Sequence, residues 1–178
     1  MPSRPGQFTP FSKFLHWTMA AMVLAMLGIG VAMVASVDHY AVLVAVHRPL
    51  GIAILAFVVV RIANRLTHRP PPLPPTVPPP ERLVAMASEL ALYALMVLMP
   101  LIGWGMLSAA GGPIVMWGPL HLPRILPHSA ALYAVLRRSH TILAYLLFLT
   151  FLGHLAAVLF HTLVVRDGLL WRMAPRRS

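Results

Sequence analysis

The chain has 178 residues, of which 59% are hydrophobic and only 10% charged, whereas an average globular chain carries about 25% charged residues. So few charges cannot cover the surface of a soluble fold of this length, and the apolar surplus implies a protein embedded in lipid. A net charge of +10 would suggest a nucleic-acid partner in a soluble chain, but these basic residues flank apolar segments, so membrane topology explains them and no nucleic acid is expected.

Crossing the hydrocarbon core takes roughly 20 apolar residues in a helix. Four segments qualify: about 14–37, 42–66, 83–107 and 141–165. The first runs on too long for a signal peptide, and no small-residue cleavage site follows it. Between the second and third segments lies HRPPPLPPTVPPP, residues 68–80, whose prolines forbid a helix and favour an extended polyproline-type linker. Between the third and fourth lies a longer connection with Gly111, Gly112, Pro113, Pro119, Pro123 and Pro127, followed by a predicted short helix at 129–138. The expected architecture is all-α: a single transmembrane domain over residues 1–178, built as a four-helix bundle.

Lys and Arg set the orientation. One side collects Arg4, Lys13, Arg61, Arg65, Arg69, Arg82, Arg166, Arg172, Arg176 and Arg177, and the other Arg48, Arg124, Arg137 and Arg138. Both termini and the proline-rich loop are therefore expected on the cytoplasmic side.

The sequence contains no cysteine, which excludes cysteine-ligated iron–sulfur clusters, covalently attached c-type haem and disulfides. Nine histidines are present. His39, His68, His121 and His128 fall in predicted loops and are read as solvated. His16, His47, His140, His154 and His161 belong to the spans or their edges. An ionisable group inside a membrane is costly and asks for a partner, most of all His154, deep within FLTFLGHLAAVLF.

His140 and His154 are fourteen residues apart, which returns to nearly the same helix face about 21 Å further along. Two ligands so far apart serve two sites. Helix direction then pairs His47 with His140 near the outer surface, and His16 with His154 in the cytoplasmic half. Structural zinc takes four protein ligands and catalytic zinc usually three. Two facing imidazoles in an apolar bundle suit haem iron, whose porphyrin supplies the other four nitrogens. Gly28, Gly30, Gly51, Gly103, Gly105 and Gly153 leave room, as they would for ordinary close helix packing. Arg61 shares the helix face of His47 one site further in. Arg61 and Arg65 are candidates to neutralise propionates of an inner haem, and Arg48, Arg137 and Arg138 those of an outer one.

The motifs FLHW with His16, VHRPLGI with His47, the run from Arg61 to Pro75, RSH with His140, GH with His154 and the closing LLWRMAPRR resemble, in order and spacing, the prokaryotic cytochrome b561 family and its relatives, the di-haem b subunits of hydrogenases. The pattern is nearest to the small stand-alone superoxide oxidases of the bacterial inner membrane. The resemblance implies two b haems with His16, His47, His140 and His154 as axial ligands. It implies oxidation of superoxide at the outer haem and reduction of ubiquinone at the inner one, with no catalytic residue beyond the haems. His161 is implied near the inner haem and quinone. Because histidine titrates near neutral pH, His161 is a candidate proton donor to the quinone, or else a propionate hydrogen-bond donor. Two other functions remain open. One is an electron-transfer subunit that docks a redox protein partner such as a dehydrogenase. The other is a transporter or structural membrane protein without haem.

Overall fold

The computed structural model describes residues 7–73 and 77–174. Arg4, Arg176, Arg177 and the Pro74–Pro75 part of the proline run lie outside them.

The first helix, α1 (Pro10–Ala35), starts earlier than predicted. Thr9 caps it, its side chain accepting the Ser12 N–H, and Pro10 occupies the first turn, where no helical N–H is required. α2 (Tyr40–Thr67) runs through Pro49 without ending. α3 (Pro79–Ala110) corrects the expectation that the extended linker reaches Pro80: Pro79 and Pro80 open the helix for the same reason as Pro10. The linker before it holds no helix or strand where described. α3 stops at Gly111, whose φ of 84° is left-handed; a Cβ there would lie 2.6 Å from His128 Nδ1.

The longer connection that follows holds a small antiparallel hairpin, β1 (Ile114–Trp117) and β2 (Leu120–Leu122). Ile114 and Met116 are buried, while Val115 and Trp117 face outward, the alternation a half-buried strand requires. The predicted short helix at 129–138 and the fourth span are one helix, α4 (Ala130–Phe160), capped by Ser129. Nothing in RRSHT breaks a helix, so the chain continues through it. α4 passes into a π turn (His161–Val165) and then a short α5 (Leu169–Met173).

Four helices are long and apolar enough to cross a membrane, and most of their surface faces outward. α1 packs on α2, α2 on α3 and α3 on α4, whereas α4 stands apart from α1 and α2 along most of its length. A seam therefore runs down the bundle between α4 and the α1–α2 pair. Both described ends of the chain meet the proline loop at one end of the bundle. There Lys13 Nζ donates to the Ala174 carbonyl, Trp17 Nε1 to the Met173 carbonyl and Arg172 to the Pro72 carbonyl. This is the terminal end; the opposite end carries the hairpin.

Candidate functional site

At the hairpin end, α2 presents His47 and α4 presents His140. Their rings are 6.2 Å apart between centroids and inclined at 65°. The Nδ1 atoms of both are buried and have no hydrogen-bond partner. Gly103 of α3 backs the site, since a Cβ there would meet His140 Cε1 at 3.4 Å. Arg48 adjoins His47 on the same helix, Arg137 lies against the Tyr133 hydroxyl, Arg138 is exposed, and Arg124 donates to the Gly111 carbonyl.

At the terminal end, α1 presents His16 and α4 presents His154, on the same continuous helix as His140 and about 21 Å along it. His16 and His154 lie within each other's electrostatic reach, with Arg61 beside both. Arg61 Nη2 is 3.2 Å from His16 Nδ1, and its Nε donates to the Tyr93 hydroxyl at 2.9 Å. Arg65 behaves differently. It forms a bidentate pair with Glu89, at 2.5 and 2.8 Å. Both guanidinium groups sit near the Tyr93 ring, 5.8 and 5.9 Å from its centroid. The sequence reading treated Arg61 and Arg65 alike; the fold neutralises Arg65 and leaves Arg61 with no acidic partner among the described residues.

Tyr93 and Glu89 were missed from sequence. Glu89 carried a signal, as a carboxylate inside the apolar run of the third span, where a charge needs a partner. His161 holds a contact that was missed as well: its Nδ1 is 2.6 Å from Asp167 Oδ2, and its Nε2 is 3.8 Å from Glu81 Oε2.

The glycines divide. Gly103 touches a candidate ligand; Gly51 packs on the Met26 methyl and Gly105 against Leu126 and Leu136. A Cβ on Gly28, Gly30 or Gly153 would meet nothing within 4 Å. Of the predicted loop histidines, His39 contacts Ser36, His68 bonds the end of α2, His121 bonds Pro119, and His128 clasps the Ala109 carbonyl.

Among the described residues, no three His, Asp or Glu side chains converge as a metal-ion site. Facing imidazoles, two per level, in an apolar seam suit a metal that brings its own equatorial ligands, as haem does. The chemistry of the donor set, neutral imidazoles with no thiolate, fits that group.

Comparison with known proteins gives the same direction. A family described as prokaryotic cytochrome b561 matches residues 7–176. The chain is 28% identical to cytochrome b561 homolog 2 of Escherichia coli (strain K12), over 98% of this chain and 94% of that protein. It is 30% identical to the probable superoxide oxidase CybB of Yersinia pestis, over 74% of each. It is 29% identical to cytochrome b562 of Cereibacter sphaeroides, over 99% of this chain and all of that protein.

Proposed function

Because this chain belongs to the prokaryotic cytochrome b561 family, and so is a multi-pass, haem b-binding membrane protein of electron transfer, we propose that it holds two haems and joins superoxide oxidation to quinone reduction. In this reading His47 and His140 would hold one haem at the hairpin end, and His16 and His154 the other at the terminal end. The observation that carries the reading is the two-level arrangement of these four histidines along the seam between α4 and the α1–α2 pair. The similarity to a probable superoxide oxidase supports superoxide as the donor. The overall reaction is two superoxide plus one ubiquinone plus two protons giving two dioxygen and one ubiquinol.

Haem iron, when bound, supplies one-electron exchange between two oxidation states. The chain supplies the rest. Four imidazoles, two at each level, would hold the sites. Arg61 provides a positive charge at the inner level that no acid pairs with among the described residues. Arg48, Arg124, Arg137 and Arg138 make the hairpin end positive, which draws a small anion towards it. His161 stands at the terminal end, where a proton can be handed to quinone from the aqueous side. Among the described residues, seven Lys and Arg (Lys13, Arg61, Arg65, Arg69, Arg82, Arg166 and Arg172) belong to the terminal end against four at the hairpin end, and in this reading the terminal end faces the cytoplasm of a bacterial inner membrane.

The test is a reduced-minus-oxidised spectrum of the purified chain with haem counted chemically, followed by reduction with enzymatically generated superoxide and reoxidation with ubiquinone. Two b haems per chain and both half-reactions without any added protein are the expected result. Haems that respond to neither reagent until a dehydrogenase is added would instead make this chain a docking subunit.

A further inference from the structure

The chain has four acidic residues, and two of them converge on one histidine. Asp167 Oδ2 stands 2.6 Å from His161 Nδ1, and Glu81 Oε2, from the first turn of α3, stands 3.8 Å from Nε2. The backbone is bent to make the first contact. The π turn over His161–Val165 ends α4, and Arg166 and Gly168, on either side of Asp167, are both left-handed, at φ 56° and 76°. A left-handed arginine is strained, and π turns occur disproportionately at functional sites. Together they swing Asp167 back onto the ring. Its second oxygen accepts the Leu169 N–H at 3.1 Å, so the carboxylate is held at both ends.

We infer that Glu81, His161 and Asp167 form a proton-input relay, with Asp167 positioning His161 and Glu81 reloading it from water. A carboxylate can only accept, so Asp167 keeps a proton on Nδ1 and makes Nε2 the nitrogen that gains and loses one. The exposures run in the matching order: side chains of Asp167 and His161 are 10% and 17% exposed, and that of Glu81 48%. Glu81 takes a proton from water and passes it to Nε2; the imidazolium gives it to a quinone oxygen and returns to neutral. Each passage delivers one proton, so two passages match the two electrons that convert quinone to quinol, supplied by the electron transfer of the family. The neighbouring cations are engaged elsewhere. Arg166 Nε donates to the Leu163 carbonyl, Arg82 Nε to the Val77 carbonyl, Arg172 to the Pro72 carbonyl, and Lys13 to Gln7 and Ala174. This inference rests on the reading that His161 protonates quinone.

The experiment follows haem reoxidation by decylubiquinone in the full-length, haem-loaded protein from pH 5.5 to 9, with variants Glu81→Gln, Asp167→Asn and His161→Ala. Glu81→Gln slows reoxidation about tenfold at alkaline pH, with the deficit shrinking towards pH 5.5 as water protonates Nε2 directly. Asp167→Asn slows reoxidation at every pH, because an amide can donate to Nδ1 as well as accept from it and no longer fixes the tautomer that leaves Nε2 to exchange the proton. Should Asp167→Asn fail to load haem, the exposed Glu81→Gln still decides the matter. A Glu81→Gln profile that superimposes on wild type at every pH, while His161→Ala is slow, overturns the relay and leaves the His161 reading intact. A His161→Ala protein as fast as wild type removes both.

Discussion

Arg61 of α2 reaches across to α1 and donates from Nη2 to His16 Nδ1 over 3.2 Å. A guanidinium has no acceptor, so in this contact Nδ1 is the acceptor and Nε2 carries the ring proton. Iron ligation through Nε2 requires the other tautomer, with the proton on Nδ1. Two donors cannot face each other, so ligation and this contact exclude one another. If His16 ligates haem iron as proposed, Arg61 must turn from it, and a propionate is the anion that would receive it.

Replacing Arg61 by Ala should therefore lower both occupancy and midpoint potential of the inner haem, because a positive charge favours the reduced state. A unit charge about 10 Å away at an effective dielectric near 20 contributes about 1.7 kcal/mol, on the order of 70 mV for one electron. Arg65 and Glu89 form a neutral pair, so changing both to Gln should leave the potential within about 20 mV, the remaining dipole being small at that range. Redox titration of the two variants separates the roles; equal shifts would show that Arg61 has no special one.

Gly103 tests the outer site by size alone. A Cβ at that position lies 3.4 Å from His140 Cε1, tight enough to ask for a small adjustment of the ring. Gly103→Ala should keep both haems. Gly103→Leu should displace His140 and remove about half of the haem per chain, since each bis-histidine level holds one group. A pyridine haemochrome assay reads the stoichiometry, and an undiminished count in the leucine variant would place the outer haem elsewhere.

Much of this was legible in the sequence because helix periodicity is rigid. Fourteen residues return to one face of any straight helix, so the relation of His140 to His154 survives errors at the ends of α4. Span ends were less legible. Pro79 and Pro80 read as helix breakers when they are helix starters, a distinction that depends on which N–H groups are already free. The break placed between 138 and 141 had no physical cause, and the fold has none. The strand at Ile114–Trp117 reads IVMW, an apolar run without alternation, too short to tell a strand from a helix or to weigh against the surrounding prolines. The pairings of Arg65 with Glu89 and of His161 with Glu81 were out of reach, because the carboxylates approach from another helix, and that of His161 with Asp167 depends on the left-handed turn at Arg166 and Gly168.

Gly111 closes α3 in the left-handed region, with φ of 84°, and His128 fills the space where a side chain would go. Gly111→Ala should meet both penalties: about 1–2 kcal/mol for the backbone and a clash with the His128 ring. His128 would then lose its contact with the Ala109 carbonyl. Thermal unfolding in detergent should show a Tm several degrees lower, by the usual relation for a domain of this size. Gly28→Ala, where a Cβ meets nothing within 4 Å, is the control and should match wild type.

The hairpin end carries Arg48, Arg124, Arg137 and Arg138 against Asp38, and Arg137 and Arg138 are exposed there. If this field draws superoxide in, haem reduction by superoxide must be sensitive to salt. Raising ionic strength from about 10 to 150 mM shortens the Debye length from about 30 to 8 Å, so the second-order rate should fall several-fold. Electrostatic steering of this kind is worth roughly 10-fold or more when screening is weak. Replacing Arg137 and Arg138 together by Gln should lower the rate at low salt and flatten its salt dependence, leaving the high-salt rate near that of wild type. Stopped-flow reduction at the two ionic strengths measures this directly. A wild-type rate that does not change with salt would mean that these arginines anchor the end of the bundle in the headgroup region and do not attract the substrate.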